Sequence, residues 1–213
     1  MTDAPTMNAP IVFIVDDDPS VRSSLKFLLS TVGLQAEGFD SADAFLHKKP
    51  SDAPSCLVLD VRMPGLSGLD FQRDLTAKNI RIPIIFLTGH GDIPMSVRAM
   101  KGGAVEFLTK PFRDQDLLDA VGIALERDRA RREREKELMI LRERYDSLTV
   151  REKEVISMVA SGMLNKQIAD RLGTAESTVK VQRSRATEKM RADSLVDLLR
   201  MIEKLQGPSQ RNR

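Results

Sequence analysis

Short apolar runs alternate with amphipathic stretches from Ile11 to about Leu125. Between the runs, apolar residues recur at helical spacing; Val21, Leu25 and Leu29, for example, share one face before Gly33 ends the pattern. The runs themselves predict β-strands, at Ile11–Val15, Gln35–Phe39, Cys56–Asp60, Pro83–Thr88 and Val105–Thr109. Strands that alternate with helices indicate βαβ units, so we predict an α/β fold whose mostly parallel sheet is covered by helices on both faces.

A helical pattern without a clear end follows from Asp114 to Tyr145. Residues 126–144 are dense in alternating charge, and Leu138 and Leu141 are the main apolar residues among them. The apolar heptads are too few for a dedicated coiled coil. We therefore predict a solvated, charged helical linker with i,i+4 ion pairs.

A compact helical block follows this linker. Thr149 and Glu152 have the spacing of a capping box that opens a helix, and Gly162 supplies its end. Asn165 is predicted to cap the next helix, which ends at Gly173. The block therefore begins with two helices separated by a turn.

A basic helix is predicted next, from Ser177 to Met190, and a last helix covers Leu195 to Ile202. Two short helices around a glycine-containing turn, with cations on the second, are typical of helix-turn-helix DNA binding. The second half of the chain is thus predicted to be all-α.

Charge is distributed unevenly between the two halves. Residues 1–125 carry 12 Lys and Arg against 16 Asp and Glu, whereas residues 126–213 carry 21 against 15. This favours cation or phosphate chemistry in the first half and a polyanionic partner for the second. The single cysteine excludes an internal disulfide and favours a reducing compartment, and no stretch approaches the about 20 apolar residues of a membrane span. We expect a cytoplasmic protein without membrane contact.

Carboxylates follow two of the predicted strands. Asp60 ends the third apolar run and precedes a Pro-Gly turn, and the first run ends in Asp16, Asp17 and Asp18. The carboxyl ends of parallel strands meet at one edge of a sheet, where ligands bind at the reversal of strand order. Because gathered carboxylates repel one another, we predict a hard divalent cation such as Mg²⁺ there, with one aspartate as a phosphate acceptor.

Two further polar residues end predicted strands: Thr88 ends the fourth, and Lys110 with the following proline ends the fifth. A hydroxyl there suits a phosphoryl oxygen, and a lysine offsets phosphoryl charge. Taken singly, each has a plain structural explanation, because Asp forms turns and a Lys-Pro pair marks a loop. The occurrence of these residues together, each at the end of a predicted strand, is much more specific than any one of them alone.

These residues make the first 125 residues closely similar to the receiver domain of bacterial response regulators. The segments that carry the resemblance are Val15-Asp16-Asp17-Asp18, Asp60 with Met63-Pro64-Gly65-Leu66-Ser67-Gly68, Thr88-Gly89-His90-Gly91-Asp92, and Phe107-Leu108-Thr109-Lys110-Pro111-Phe112. The resemblance implies a flavodoxin-like five-stranded parallel sheet with a cis peptide bond before Pro111.

It also implies the role of each site residue. Asp60 would accept a phosphoryl group from a cognate sensor histidine kinase. Mg²⁺, or Mn²⁺, would be held by Asp16, Asp17, Asp60 and the backbone carbonyl of Arg62. The phosphate would be reported by Thr88, Lys110 and the aromatic switch residue Phe107. His90 is predicted to have a loop role and His47 to lie on the surface.

Residues 148 to about 205 resemble the LuxR-type helix-turn-helix of FixJ-like regulators. The matching segments are Leu148-Thr149-Val150-Arg151-Glu152, Asn165-Lys166-Gln167-Ile168-Ala169, Leu172-Gly173 and Thr178-Val179-Lys180-Val181, together with Gly162. Two positions depart from the family: Gln182 stands where many relatives have His, and Ala175 where they have a capping Ser.

Helical spacing divides the basic helix into three predicted surfaces. Base edges would be met by Ser177, Lys180, Val181 and Ser184. The core would receive Val179, Ala186 and Met190. Phosphate contacts are predicted for Asn165, Lys166, Thr178, Arg183, Arg185 and Lys189. Gln182 is predicted to be a further DNA-binding residue.

We predict a transcriptional regulator of a two-component system, with a receiver at 10–125, a helical linker at 126–144 and a DNA-binding domain at 145–207. Phosphorylation would favour a homodimer that binds promoter DNA and activates transcription by RNA polymerase. Two alternatives remain. A phosphatase that forms an aspartyl phosphate is disfavoured, because Arg62 stands where such enzymes carry a second Asp. The second alternative is a DNA-binding protein whose receiver serves only as a dimerisation module and works without phosphate.

Overall fold

The computed structural model describes residues 9–48, 51–89 and 92–206. Contacts divide the chain into two compact units, Met1–Arg132 and Glu133–Arg213. No helix in the described ranges has the length and apolar character needed to cross a bilayer.

The sheet of the first unit consists, in the described residues, of five parallel strands: β1 (Ile11–Val15), β2 (Gln35–Phe39), β3 (Ser55–Asp60), β4 (Ile84–Thr88) and β5 (Glu106–Thr109). Their order is β2-β1-β3-β4-β5. The order therefore reverses at β1, and the crevice beyond the carboxyl ends of β1 and β3 is the position where such folds bind ligands.

Helices cover both faces of this sheet: α1 (Pro19–Thr31), α2 (Ala42–Leu46), α3 (Gly68–Ala77), α4 (Ile93–Lys101) and α5 (Asp114–Asp146). The alternating side chains of the strands fill two cores. One joins Val12 and Ile14 to α1 and α5, and the other joins Phe13 and Val15 to α2, α3 and α4. Burial on both faces explains why β1, β3 and β4 appear in the sequence as continuous apolar runs.

The strands lie where the apolar runs predict them, within one residue. The third strand begins at Ser55 rather than Cys56, because Ser55 pairs with Ile11. The fourth begins at Ile84 and the fifth at Glu106, each one residue later than predicted. Cys56 is fully buried, and desolvation, with the nearby Asp128 charge, raises the pKa of its thiol to about 12.

The prediction of a solvated linker is wrong at its beginning. Helix α5 is continuous through Asp146, but the boundary between the two units falls within it, after Arg132. Asp128 is fully buried and accepts a hydrogen bond from the Ser55 backbone N–H at 2.9 Å. The first part of the charged segment is thus packed against the start of β3, a contact between residues 73 positions apart.

The second unit contains α6 (Val150–Ala160), α7 (Asn165–Leu172), α8 (Glu176–Met190) and α9 (Leu195–Gln206), together with the last part of α5. Among its described residues, two small apolar cores stabilise it. One joins Leu141, Leu148 and Ile156 to α8 and α9, and the other joins α6 to Ile168 and Val179. The all-α prediction is confirmed.

Caps define the turns of the helix-turn-helix. The capping box of Thr149 and Glu152 is present, and Gly173 ends α7 in the left-handed conformation, with φ of 62°. The prediction that Asn165 caps α7 is wrong: the cap position is Leu164, whose N–H donates to the Gln167 side chain at 2.8 Å. Asn165 begins the helix instead.

Candidate functional site

The carboxylates predicted to gather at the sheet edge do lie together. Asp16 directly follows β1, and Asp60 is the last residue of β3, the neighbouring strand. Carboxylate oxygens of Asp16, Asp17 and Asp60 all lie within 4.8 Å of one another. Carboxylate oxygens at this spacing are the donors that a hard divalent cation prefers, so the residues fit Mg²⁺ or Mn²⁺.

The three carboxylates have different environments. Asp16 is 2% exposed and accepts a hydrogen bond from the Asp18 N–H at 2.9 Å, while Asp17 is exposed. The Asp60 side chain is 12% exposed and accepts from the Arg62 N–H at 3.2 Å. Burial raises the pKa of Asp60, although the Arg62 N–H and Lys110 oppose that shift. Asp60 is therefore partly shielded from solvent, with an exposure between those of Asp16 and Asp17.

Lys110 supplies the positive charge of this site. Its Nζ lies 2.8 Å from Asp16 Oδ2 and 3.5 Å from Asp60 Oδ2. Burial lowers the pKa of Lys110, but the hydrogen bond and charge of Asp16, with a contribution from Asp60, outweigh it and raise the pKa. The peptide bond between Lys110 and Pro111 is cis, as predicted. The ammonium stays protonated between the two carboxylates.

Thr88 and Phe107 lie on the neighbouring strands. Thr88 is fully buried at the end of β4, and its carbonyl accepts the Lys110 N–H at 2.7 Å. Phe107 is half-buried on β5, and its ring lies 6.2 Å from that of Phe86, centroid to centroid. A hydrogen bond thus connects the backbones of the threonine and the lysine, the two residues predicted to contact phosphate. His90 and Gly91 of the same loop lie outside the described residues.

Arg22 was not predicted as part of this site. Its Nη1 donates to the backbone carbonyls of Asp16 at 2.6 Å and Asp17 at 3.0 Å, and so fixes the turn that presents both carboxylates. Gly38 on β2 leaves room for the Arg22 side chain, because a Cβ at this position would lie only 3.3 Å from Arg22 Cδ. An arginine one turn into the helix after the aspartates is the only sequence signal for this role, because the bond runs to backbone atoms.

Gly68 is also required beside Asp60. A Cβ at this position would lie 2.4 Å from the Asp60 carbonyl oxygen and 3.1 Å from Val61 Cα, both backbone atoms. We expect Gly68→Ala to reduce the free energy of unfolding by about 2 kcal/mol, because the backbone that carries Asp60 has to move. Urea denaturation measures the effect.

The matched control for this variant is Gly122→Ala. Gly122 lies within α5, and a Cβ there would meet nothing within 4 Å. Alanine is the better helix former by about 1 kcal/mol, so this variant should be as stable as the parent or more so. Equal stability of the two variants would contradict the proposed close approach at Gly68.

The basic helix α8 carries most of the residues predicted to meet DNA, and most of them are exposed. Exposed along it are Ser177, Thr178, Lys180, Val181, Ser184, Arg185 and Lys189, with Lys166 on α7, whereas Asn165, Gln182 and Arg183 are half-buried. The residues predicted to be core, Val179, Ala186 and Met190, are fully buried. The predicted division of the helix into an outer and an inner face is therefore confirmed for the inner face.

Several of these side chains already have protein partners. Arg183 Nη1 donates to Asn165 Oδ1 at 3.3 Å, which links α8 to α7. Lys180 lies 3.2 Å from Glu176, and Lys189 Nζ donates to Glu152 at 2.7 Å. Lys189 thus has a structural contact that competes with its predicted role at phosphate. Ala175, the cap position of α8, provides no side-chain hydrogen bond.

Glu152 joins the capping box of α6 to α8. Its carboxylate accepts from the Thr149 N–H at 2.8 Å and from Lys189, and the residue is 2% exposed. Burial raises the pKa of Glu152, but the hydrogen bonds from Lys189 and Thr149 outweigh it, so the pKa lies below the ordinary value of 4.5. The charged form is the one that stabilises the folded unit.

This arrangement predicts a pH-dependent effect of Glu152→Gln. The variant should lose about 1–2 kcal/mol of stability at pH 7, where the carboxylate is charged in both states. Because the folded pKa is the lower one, the deficit should shrink as pH falls below the ordinary value of 4.5. Thermal unfolding of both proteins between pH 7 and about pH 3 measures it.

Glu154→Gln is the control for that series. Glu154 is paired with Arg151 on the surface of the same helix, 2.9 Å away, and its side chain is 40% exposed. An exposed pair contributes at most about 1 kcal/mol. A deficit for Glu152→Gln no larger than that of Glu154→Gln, or one that grows on acidification, would contradict this role.

The fold and the sites together define a class of protein. Residues 12–122 match the family described as response regulator receiver domain, and residues 146–202 match the bacterial regulatory proteins of the luxR family. The chain belongs to the response regulators of two-component systems, with a receiver domain and a LuxR-type DNA-binding domain.

Individual relatives agree. Nodulation protein W of Bradyrhizobium diazoefficiens is 58% identical over 195 residues, 92% of this chain and 86% of that protein. The transcriptional regulatory protein FixJ of Rhizobium meliloti is 43% identical over 190 residues, 89% and 93% of the two chains. The solved response regulator StyR has a TM-score of 0.82 and 49% identity, covering 92% of this chain and 99% of that one. FixJ is named as a transcriptional regulatory protein and StyR as a response regulator, and none of the three is named as a phosphatase.

Proposed function

We propose that this protein is a phosphorylation-dependent transcriptional activator whose phosphoacceptor is Asp60. The observation that carries the proposal is the position of the Asp60 carboxylate, partly sheltered at the sheet edge beside two further carboxylates and 3.5 Å from Lys110 Nζ. A carboxylate is itself an anionic nucleophile, so transfer from phosphohistidine requires no general base.

Phosphoryl transfer depends mainly on alignment and charge neutralisation. Asp16 and Asp17, with Asp60 and the Arg62 carbonyl, would hold Mg²⁺ or Mn²⁺. The bound cation would offset the negative charge that develops on the phosphoryl oxygens. Lys110 would contact the phosphoryl group from the opposite side, and Arg22 would keep the Asp16–Asp17 turn in place.

The phosphorylated state would differ from the resting state at β4 and β5. Thr88 would donate its hydroxyl to a phosphoryl oxygen, and Phe107 would repack towards the space that Thr88 leaves. Phosphorylation would thereby shift an existing equilibrium towards a homodimer. Exposed apolar side chains on α4, at Ile93, Val97 and Met100, support such an association surface.

The homodimer would place two copies of α8 on successive half-sites of promoter DNA. Ser177, Lys180, Val181 and Ser184 would meet base edges, and Lys166, Thr178, Arg183 and Arg185 would bind phosphates. The further partners are a cognate sensor histidine kinase and RNA polymerase, and the compartment is the cytoplasm. We assign the receiver to residues 10–132, the linker to 133–144 and the DNA-binding domain to 145–207, which moves the end of the receiver from the predicted residue 125 to the end of the first unit; Gly207 lies outside the described residues.

The phosphoacceptor chemistry is tested by incubating the protein with acetyl phosphate, with Mg²⁺ or with EDTA, and measuring the intact mass. We expect the mass to increase by one phosphoryl group with Mg²⁺ and not with EDTA. The modified residue should be Asp60 after trapping and peptide mapping. Equal uptake in EDTA, or uptake mapped to another residue, would contradict the proposed site.

A further inference from the structure

A cavity lies at the end of the sheet opposite to Asp60. Its volume is about 310 Å³, and it opens between the start of β3, at Ser55, and the residues that precede β4. Among the described residues that line it, four are cationic and none is acidic; the cations are Lys48, Arg81, Arg131 and Arg132. The volume is at the lower end of the range for small-molecule sites.

The two arginines from α5 are held at the cavity wall by Asp128. The buried carboxylate of Asp128 accepts from Arg132 Nε at 2.5 Å and from Arg131 Nε at 3.1 Å. Their side chains are about 30% exposed, so both guanidinium groups are partly desolvated yet reach the cavity. Arg132 Nη2 also donates to Ser55 Oγ at 3.4 Å. Each planar guanidinium has five N–H donors, so it can contact Asp128 and a second carboxylate at once.

The rest of the wall is apolar and partly aromatic. The rings of Phe13 and Phe45 meet edge to face, 5.5 Å apart, and Lys48 Nζ lies 5.0 Å from the centroid of Phe13. Ile80 lies at the cavity and is 39% exposed, and Ile82 is beside it. A flat apolar group in the cavity would therefore contact aromatic and aliphatic carbon rather than polar atoms.

We propose that this cavity binds a small organic anion with an aromatic body, such as an arylcarboxylate. Its carboxylate would be bound by Arg81, Arg131 and Arg132, and its ring would lie against Phe13, Phe45 and Ile80. The charge distribution selects this class. A neutral hydrophobic molecule would cover the partly exposed guanidinium groups without offering them an acceptor, and an inorganic anion would leave the apolar wall unused.

Binding there would act on the start of β3. Asp128 accepts both the Ser55 N–H and the two arginines, so a ligand carboxylate would share those arginines with Asp128. The ligand would bind the folded receiver and not the unfolded chain, and would therefore stabilise the receiver. This site and its ligand are independent of Asp60 and of its phosphorylation.

The test is a titration of the protein with 2-naphthoate, followed by the fluorescence anisotropy of the probe; the chain contains no Trp to interfere. We expect saturable binding with a Kd below about 1 mM, and a Kd at least about tenfold weaker for the isosteric neutral 2-naphthamide. Inorganic phosphate should not displace the probe at equal concentration. Absence of saturable binding, equal affinity for the amide, or displacement by phosphate would each overturn the proposal.

Variants locate the binding. Arg81→Gln should weaken naphthoate binding at least about threefold, because it removes a guanidinium from the cavity wall. Lys48 is paired with Glu37, so Lys48→Gln should also weaken binding, because it leaves the Glu37 carboxylate without its cation beside the cavity. Arg73→Gln is the matched control, since Arg73 is exposed on α3, is paired with Asp70 and does not line the cavity. Equal loss in Arg73→Gln would place the bound probe elsewhere. The comparison of naphthoate with naphthamide uses the unmodified protein, so it remains a valid test even if a variant folds poorly.

Discussion

Asp60→Asn is expected to lose phosphoryl uptake from acetyl phosphate by at least about 10³-fold in rate, because the amide has no anionic oxygen to attack phosphorus. The structure indicates that the fold survives the change. The remaining side-chain oxygen still accepts the Arg62 N–H, and Lys110 keeps its 2.8 Å contact with Asp16. Intact mass after incubation with acetyl phosphate and Mg²⁺ measures the loss, and circular dichroism confirms the fold.

Asp74→Asn is the matched control for that variant. Asp74 is an exposed carboxylate on α3 of the same unit, so the substitution makes the same chemical change away from the sheet edge. This protein should be phosphorylated at the parental rate. Phosphoryl uptake by Asp60→Asn at a rate similar to that of Asp74→Asn would show that another residue accepts the group.

Salt is expected to weaken DNA binding by about 10³-fold between about 50 and 200 mM. Three cations per protomer, Lys166, Arg183 and Arg185, are predicted to bind phosphates. Lys189 is left out of the prediction because it is engaged with Glu152. A dimer would then neutralise about six phosphates, so log K should fall against log salt with a slope of about −5. Titration of labelled promoter DNA at four salt concentrations measures the slope.

Arg185→Gln tests whether these contacts are the right ones. The slope should become shallower by about 2 in a dimer, and affinity should fall to a similar extent for all sequences, since phosphates carry no sequence information. Arg200→Gln is the control: Arg200 is an exposed cation on α9, outside the predicted contacts. A slope that Arg185→Gln leaves unchanged, or that both variants reduce equally, would contradict the proposed interface.

Most of the receiver fold was predictable because its signals are local. Buried parallel strands require continuous apolar runs, so β1 and β2 were placed to the residue and the other three strands within one. Asp128 was not predictable. Its surroundings in sequence are those of a solvated charged helix, and only the fold places it 2.9 Å from the Ser55 N–H, 73 residues away.

The same contrast applies to the sites. Asp16, Asp60, Thr88 and Lys110 were predicted because each ends a strand, and parallel strands bring their carboxyl ends to one edge. Arg22 donates hydrogen bonds to backbone carbonyls, which every residue carries, so the pattern of side chains does not predict its role in the site. Asn165 was wrongly predicted as the cap of α7 because Asn favours that position. In the structure Leu164 is the cap residue, and its N–H donates to the Gln167 side chain, whereas the Asn165 side chain accepts a hydrogen bond from Arg183.

The central claim is that phosphorylation of Asp60 controls DNA binding. The direct test measures binding to a panel of genomic DNA fragments with and without acetyl phosphate and Mg²⁺, for the wild type and Asp60→Asn. The proposed function predicts tighter binding to specific fragments on phosphorylation of the wild type, and no such change for Asp60→Asn. Equal affinity of both proteins under all conditions would contradict it and would favour a receiver that dimerises without phosphate.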